Sequence, residues 1–97
     1  MIDIKILKSA YKDLSAGKSF YDSQDFGVGD YFLDSLISDI DSLQVYAGIH
    51  KQVYGHYKLN SKRFPYAIYY KMTGNAVVVR RVLDMRSNPK TMVSKLR

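Results

Sequence analysis

With 97 residues, 46% of them hydrophobic and 25% charged, the chain has the composition of one small folded domain, near the lower limit at which a core sustains itself. It contains no cysteine, and all nine of its acids are aspartate, which excludes disulfides, thiolate metal sites and cysteine nucleophiles. The net charge of +6 hides an asymmetry: residues 1–48 hold eight Asp against four Lys, a net of −4, whereas residues 49–97 hold six Lys and five Arg against Asp84 alone, a net of +10.

In chain order, Ile2, Ile4 and Ile6 alternate with Asp3 and Lys5, the period-two pattern of a half-buried strand. Ser9 is a candidate cap for a helix running to about Ser23, with Ala10, Leu14 and Tyr21 along its apolar side. Gly17 inside that helix costs about 1 kcal/mol relative to Ala and implies close packing or a local bend. The stretch Asp25-Phe26-Gly27-Val28-Gly29 is a break, after which Asp30 can cap a second helix from Tyr31 to about Leu43. Phe32, Leu33, Leu36, Ile37, Ile40 and Leu43 form its apolar stripe, and Asp34, Ser38, Asp39 and Asp41 its solvated side. So short a link favours an antiparallel helical hairpin.

Beyond Gly48 the period changes to two. Val53–Leu59 reads as one strand, Asn60–Arg63 as a turn, Phe64–Met72 as the next strand, Thr73-Gly74-Asn75 as a hairpin turn and Ala76–Leu83 as the last strand. Simple alternation puts Tyr66, Ile68, Tyr70 and Met72 on one face, and separates Val77, Val79, Arg81 and Leu83 from Val78, Arg80 and Val82. A final helical turn over residues 90–96 would carry Met92 and Leu96 on one side.

The order β-α-α-β-β-β predicts an α+β fold of two layers over residues 1–97, an antiparallel sheet covered on one face by the helical hairpin. Leu36, Ile40, Tyr66, Ile68 and Val79 should share its core, while the other sheet face meets solvent or a partner. Tyr57, Tyr69 and Tyr70 are expected to be partly exposed. Of the adjacent Arg80 and Arg81, one should pair with an aspartate of the helices. Arg63 reads as a solvated turn charge, and Arg86 either meets a partner or braces the tail against Asp84. His56 is either a hydrogen-bonded structural residue or a general base.

The two histidines lack metal-ligand spacing, and Gly27 and Gly29 are followed by no Lys-Ser/Thr pair, so neither metal nor cofactor is expected. No apolar run approaches the roughly 18 residues of a membrane span, and MIDIKILK alternates instead of forming a signal-peptide core, so the expected location is cytoplasmic. A basic, sheet-forming half is the electrostatic footprint of a surface that meets nucleic acid or an acidic protein.

Three segments, in this order, resemble the RelE/ParE family of bacterial type II toxins: the opening strand with ILKSAYKDL, the helix–Gly–helix stretch FYDSQDFGVGDYFLDSLISDIDSL, and the closing hairpin with its Arg-bearing turn, KRFPYAIYYKMTGNAVVVRRVLDMRSNP. The resemblance covers nearly the whole chain. It implies a toxin neutralised by a cognate antitoxin, which itself binds operator DNA. Two activities share the family's fold: RelE-like members cut messenger RNA on the ribosome, and ParE-like members poison DNA gyrase. A RelE-type site needs basic groups on adjacent strands plus a tail Tyr, to activate a 2′-hydroxyl and balance the charge of a pentavalent phosphate. Lys58 matches a strand base and Arg86 the turn arginine, with His56 the nearby proton carrier. However, Ala67 stands where RelE-like toxins carry Arg, Asn60 where a second Lys would fall, and Thr91 and Met92 where the Tyr would fall. These departures and the RFPY wording favour the ParE-like side, a binding poison rather than an enzyme. Lys58, Arg63, Arg81, Arg86, Met92 and Leu96 are then the candidate contacts with target or antitoxin. The alternatives are a RelE-like nuclease acting on ribosome-bound message, and a decayed toxin that only binds antitoxin.

Overall fold

Residues 2–97 are described by a computed structural model in which strand β1 (Asp3–Ile6) leads into helices α1 (Lys8–Gln24), α2 (Val28–Asp41) and the short α3 (Leu43–Tyr46). Strands β2 (Gln52–Val53), β3 (His56–Asn60), β4 (Tyr66–Thr73) and β5 (Ala76–Asp84) follow, and helix α4 (Pro89–Lys95) closes the chain. The sheet runs β1-β5-β4-β3-β2. It is mixed and not antiparallel as expected, because β1 pairs with β5 in parallel, Ile4 opposite Val77 and Ile6 opposite Val79. The helical hairpin carries the chain across one sheet face, so the first strand ends beside the last, a placement no local pattern specifies.

The single strand expected over Val53–Leu59 is instead a tight hairpin that reverses at Tyr54 (φ 52°) and Gly55 (φ 75°). Positive φ at both central positions matches the right-handed twist of the flanking strands. Gly55 adopts it freely, whereas Tyr54 is a non-glycine residue held in the left-handed region.

The α1–α2 crossing is built on close approach: a Cβ on Gly17 would lie 2.5 Å from Cζ of Phe32, and one on Gly29 would strike the Asp22 carboxylate. That carboxylate is the acceptor for the Gly29 N–H at 2.8 Å, capping α2 from outside. Asp30 therefore lies in the first turn of α2 and does not cap it, and Ser9 does not cap α1, whose N-cap is Leu7. Asp39 is also reassigned: it is buried, and its Oδ2 accepts a 2.7 Å hydrogen bond from the Ser61 hydroxyl, tying α2 to the β3–β4 loop.

Leu36, Ile40, Tyr66, Ile68 and Val79 do share one core, with Phe32, Leu43, Tyr70, Val77 and Val82. Tyr21, Phe32, Phe64 and Tyr66 cluster at one end of it, ring centroids 4.8–6.2 Å apart. Tyr69 and Tyr70 are not partly exposed but 1% and 0% accessible, one under each layer; Tyr57 is half-buried and stacks on Tyr70. Tyr69 is covered because the outer sheet face is not bare. There α4 packs Leu96 against Ala67, Tyr69 and Leu83, with Met85 and Met92 beside them. The Asn88 side chain caps α4 by accepting the Lys90 N–H at 2.9 Å, and Pro89 occupies the first turn.

Alternation along β5 also fails at one point. Tyr69 pairs with Arg81 but Tyr70 with Val79, so Arg80 is an extra residue, a β-bulge. The bulge turns Val82 inward with Val77 and Val79, and sends Leu83 outward to α4.

Candidate functional site

The bulge organises the basic strand. Past residue 79 β1 has left the edge of β5, so the carbonyl of Arg80 and the N–H of Val82 have no strand partner on that side. Helix α1 supplies both: the Ser9 hydroxyl donates to the Arg80 carbonyl at 2.8 Å, and Asp13 Oδ2, four residues on, accepts the Val82 N–H at 2.9 Å. The same carboxylate takes Nε of Arg81 at 2.7 Å and Nη2 at 2.8 Å. This paired geometry holds the Arg81 guanidinium in its charged form, its pKa raised chiefly by the hydrogen bonds it donates to Asp13. Arg81 is thus the arginine that pairs with a helix aspartate. Asp13 and Ser9 have no sequence signal beyond a polar i, i+4 pair on α1.

Arg86 braces Asp84 through Nε at 3.0 Å and Nη2 at 2.8 Å, and its own N–H also bonds that carboxylate. Those bonds hold Asp84 below the usual carboxylate range. The pair closes the helix-side end of the sheet, since Asp84 stands opposite core-facing Tyr66 and shares a cavity lining with it. Lys58 lies on the other face, opposite Tyr69. The structure therefore does not bring Lys58 and Arg86 together. Arg63 is exposed in the β3–β4 loop, Leu96 is only 4% accessible, and Met92 lines a cavity of about 230 Å³ with Phe20, Tyr66, Asp84, Thr91 and Lys95.

His56 is buried on the Lys58 face. Its Nδ1 lies 2.8 Å from the carbonyl of Tyr54, which can only accept, so Nδ1 carries the proton and Nε2 is a bare acceptor. Nε2 is out of solvent contact and has no partner among the described residues, so it cannot reach a substrate hydroxyl in this conformation. Burial, then the positive charges of Lys71 and Arg80, push the imidazole pKa below 6.5 against the opposing bond to Tyr54. His50, whose Nδ1 is hydrogen-bonded with the Tyr70 hydroxyl, also has its pKa lowered by burial. Groups whose folded pKa is depressed contribute stability that is present above the unfolded value and lost as pH falls through the folded one. The chain should accordingly lose urea resistance between about pH 7 and pH 5, before Asp22 and Asp84 titrate. Replacing His56 by Gln should flatten part of that slope, and equal wild-type midpoints at both pH values would contradict the assignment.

Among the described residues no three His, Asp or Glu side chains gather where a metal ion could sit, and no helix is long and apolar enough to cross a membrane. Sequence reasoning assigns no role to Lys5 or Lys71 and treats Arg80 only as the neighbour of Arg81. These residues face outward with Lys58, a grouping that depends on the sheet order.

No family model matches the chain, and no curated protein does. Among solved structures, the fold matches a chain of the chromosomal ParDE TA system from P. aeruginosa with a TM-score of 0.77. The two are 21% identical, and the match covers 84% of this chain and 94% of that one. The chain therefore has that fold: two layers, a helical hairpin against a five-stranded sheet.

Proposed function

We propose that this chain is the toxin of a type II toxin–antitoxin pair, that it poisons DNA gyrase by binding, and that a cognate antitoxin neutralises it. The fold shared with a chain of a ParDE TA system supports the toxin reading. The observation that favours binding over catalysis is the separation of the basic groups. Lys58 faces outward across the sheet, while Arg86 is engaged by Asp84 at the helix-side end. Ala67, where RelE-like toxins carry Arg, is buried under Leu96. Cleaving RNA requires several charges converging on one phosphorane, and losing a single such donor typically costs on the order of 10²–10³ in rate. A binding poison needs only a complementary surface with a few anchors. Arg63 and exposed Arg86 supply charge for such a surface, and Met92 an apolar contact at the cavity mouth. A neutralising partner would present acids to Arg63 or Arg86 on a segment that folds as it binds.

Overproduction should give filamentous cells with DNA-damage signalling, blocked gyrase supercoiling and intact messages. Primer extension on RNA from those cells is the deciding measurement. Cuts mapping to codons of translated frames, abolished by Lys58→Ala, would replace this reading with the nuclease one. Co-expression with the product of the adjacent gene should yield a stable complex and restore growth. Unaffected growth with either gene alone would point to a decayed module.

A further inference from the structure

Four neighbouring strands each carry a cation to the outer face of the sheet. Lys5 of β1 stands opposite Val78 of β5, and Val78 opposite Lys71 of β4. Lys58 of β3 stands opposite Tyr69, one alternation from Lys71. Arg80, two residues beyond Val78, completes the set at the bulge, close enough that its charge and that of Lys71 both act on His56 beneath them. Among the described residues none of these four cations forms a salt bridge. The carboxylate that shares their face is Asp3, at the corner beside Ala76. Asp84 lies toward the helices and is engaged by Arg86, and the remaining aspartates sit on α1 and α2 or at their ends in the other layer. Helix α4 covers Ala67, Tyr69 and Leu83; beyond it Lys5 and Lys71 are exposed, and Lys58 and Arg80 are half-buried.

We infer that this face binds the sugar–phosphate backbone of duplex DNA directly, without reading base sequence. Strands about 4.8 Å apart spread the four charges across roughly 14 Å from β3 to β1, a length of helix axis over which one DNA strand, with a phosphate about every 3.4 Å of axis, presents roughly four to five phosphates. The surrounding surface favours a regular polyanion over other partners. A single strand of nucleic acid needs exposed rings to stack on, and Tyr69 in the middle of the face is 1% accessible. Among the described residues, Tyr54 at the hairpin tip is the exposed ring carried by the strands and turns beside this face. A peptide docks at a sheet edge or in an apolar groove, whereas three of these cations lie on the interior strands β3, β4 and β5. Phosphate contact alone fixes position and carries no sequence information, so operator recognition is not implied. The inference holds whether or not gyrase is the target, because it concerns the purified chain and not a growth phenotype.

The test is fluorescence anisotropy of the full chain with a labelled duplex of arbitrary sequence, about 20 base pairs long, over a salt series. Four phosphate contacts give a slope of log K against log salt near −3.6, so binding should weaken on the order of 100-fold between about 50 and 200 mM salt. Each of Lys58→Gln, Lys71→Gln and Arg80→Gln should reduce that slope by about 1, while Lys12→Gln on the helical layer should leave it unchanged. If Arg80→Gln disturbs the bulge and unfolds the chain, the two lysine variants carry the test. Absence of binding at low salt, or an equal effect from Lys12→Gln, overturns the inference. Tighter binding of a single-stranded RNA of equal length overturns the duplex assignment. Displacement of the duplex by poly-aspartate more readily than by unlabelled duplex would reassign the face to an acidic protein.

Discussion

Replacing Leu36 by Ala is expected to lower stability by about 2–5 kcal/mol, read as a shift in the urea midpoint at unchanged slope. Leu36 has no solvent-accessible surface and packs in the main core, where the sheet contributes Tyr66, Ile68 and Val79. Truncation removes the transfer free energy of the lost carbons and leaves a cavity that aromatic neighbours are slow to fill. Phe32, one turn earlier, is already seated against Gly17 with no room to shift toward α1. That argues for the upper half of the range. A loss under about 0.5 kcal/mol would mean that α2 presents a different face to the sheet.

Asp13→Ala should cost about 2–4 kcal/mol, a large effect for one polar side chain. The carboxylate accepts three hydrogen bonds, two from the Arg81 guanidinium and one from the Val82 N–H. Its loss leaves a cation without its partner and a backbone donor without an acceptor, both in a sheltered place. The side chains of Arg81 and Asp13 keep 21% and 13% of their surface accessible, so the figure lies below the roughly 3–5 kcal/mol of a fully buried pair. Adding Arg81→Leu to Asp13→Ala should recover part of the loss, because no charge then remains unpaired. Additive losses in that double variant would show that the two residues act separately. The contrast is Arg86→Ala: its pair with Asp84 is more exposed, and its removal should matter far less to folding.

Much of the fold is legible in residue order because its signals are local. The apolar spacing of Phe32, Leu36 and Ile40 identifies α2 and the side it buries, and Tyr66, Ile68 and Tyr70 identify the inner face of β4. The mismatches have separate causes. Val53 and His56 lie on either side of a two-residue reversal, which reads as continuous strand because Tyr54 is an unusual residue for a left-handed turn position. Asp39 looks solvated on its own helix, yet it is buried by a partner, Ser61, from a loop 22 residues away. Of the candidate site residues, Lys58 lies on the outer face with Lys71 and Arg80, Arg81 and Arg86 are engaged by aspartates, and Leu96 is buried. None of this is visible in a motif that lists types and spacing.

By itself the sequence determined the classes of chemistry open to this protein, the two long helices and the strands β1, β4 and β5, five members of the main core and the division of charge into an acidic half and a basic half. Each of these depends on composition or on a period of two or 3.6 residues, which survives without knowing what lies across the fold. Only the tertiary structure decided which cations are free. One extra residue at Arg80 shifts the alternation of β5, and Asp13, 68 residues earlier, comes close enough to neutralise Arg81 and not Arg80. The parallel placement of β1 beside β5 then adds Lys5 to the outer face. Electrostatic pairing depends on distance in space, and that distance is set by packing between elements far apart in the chain.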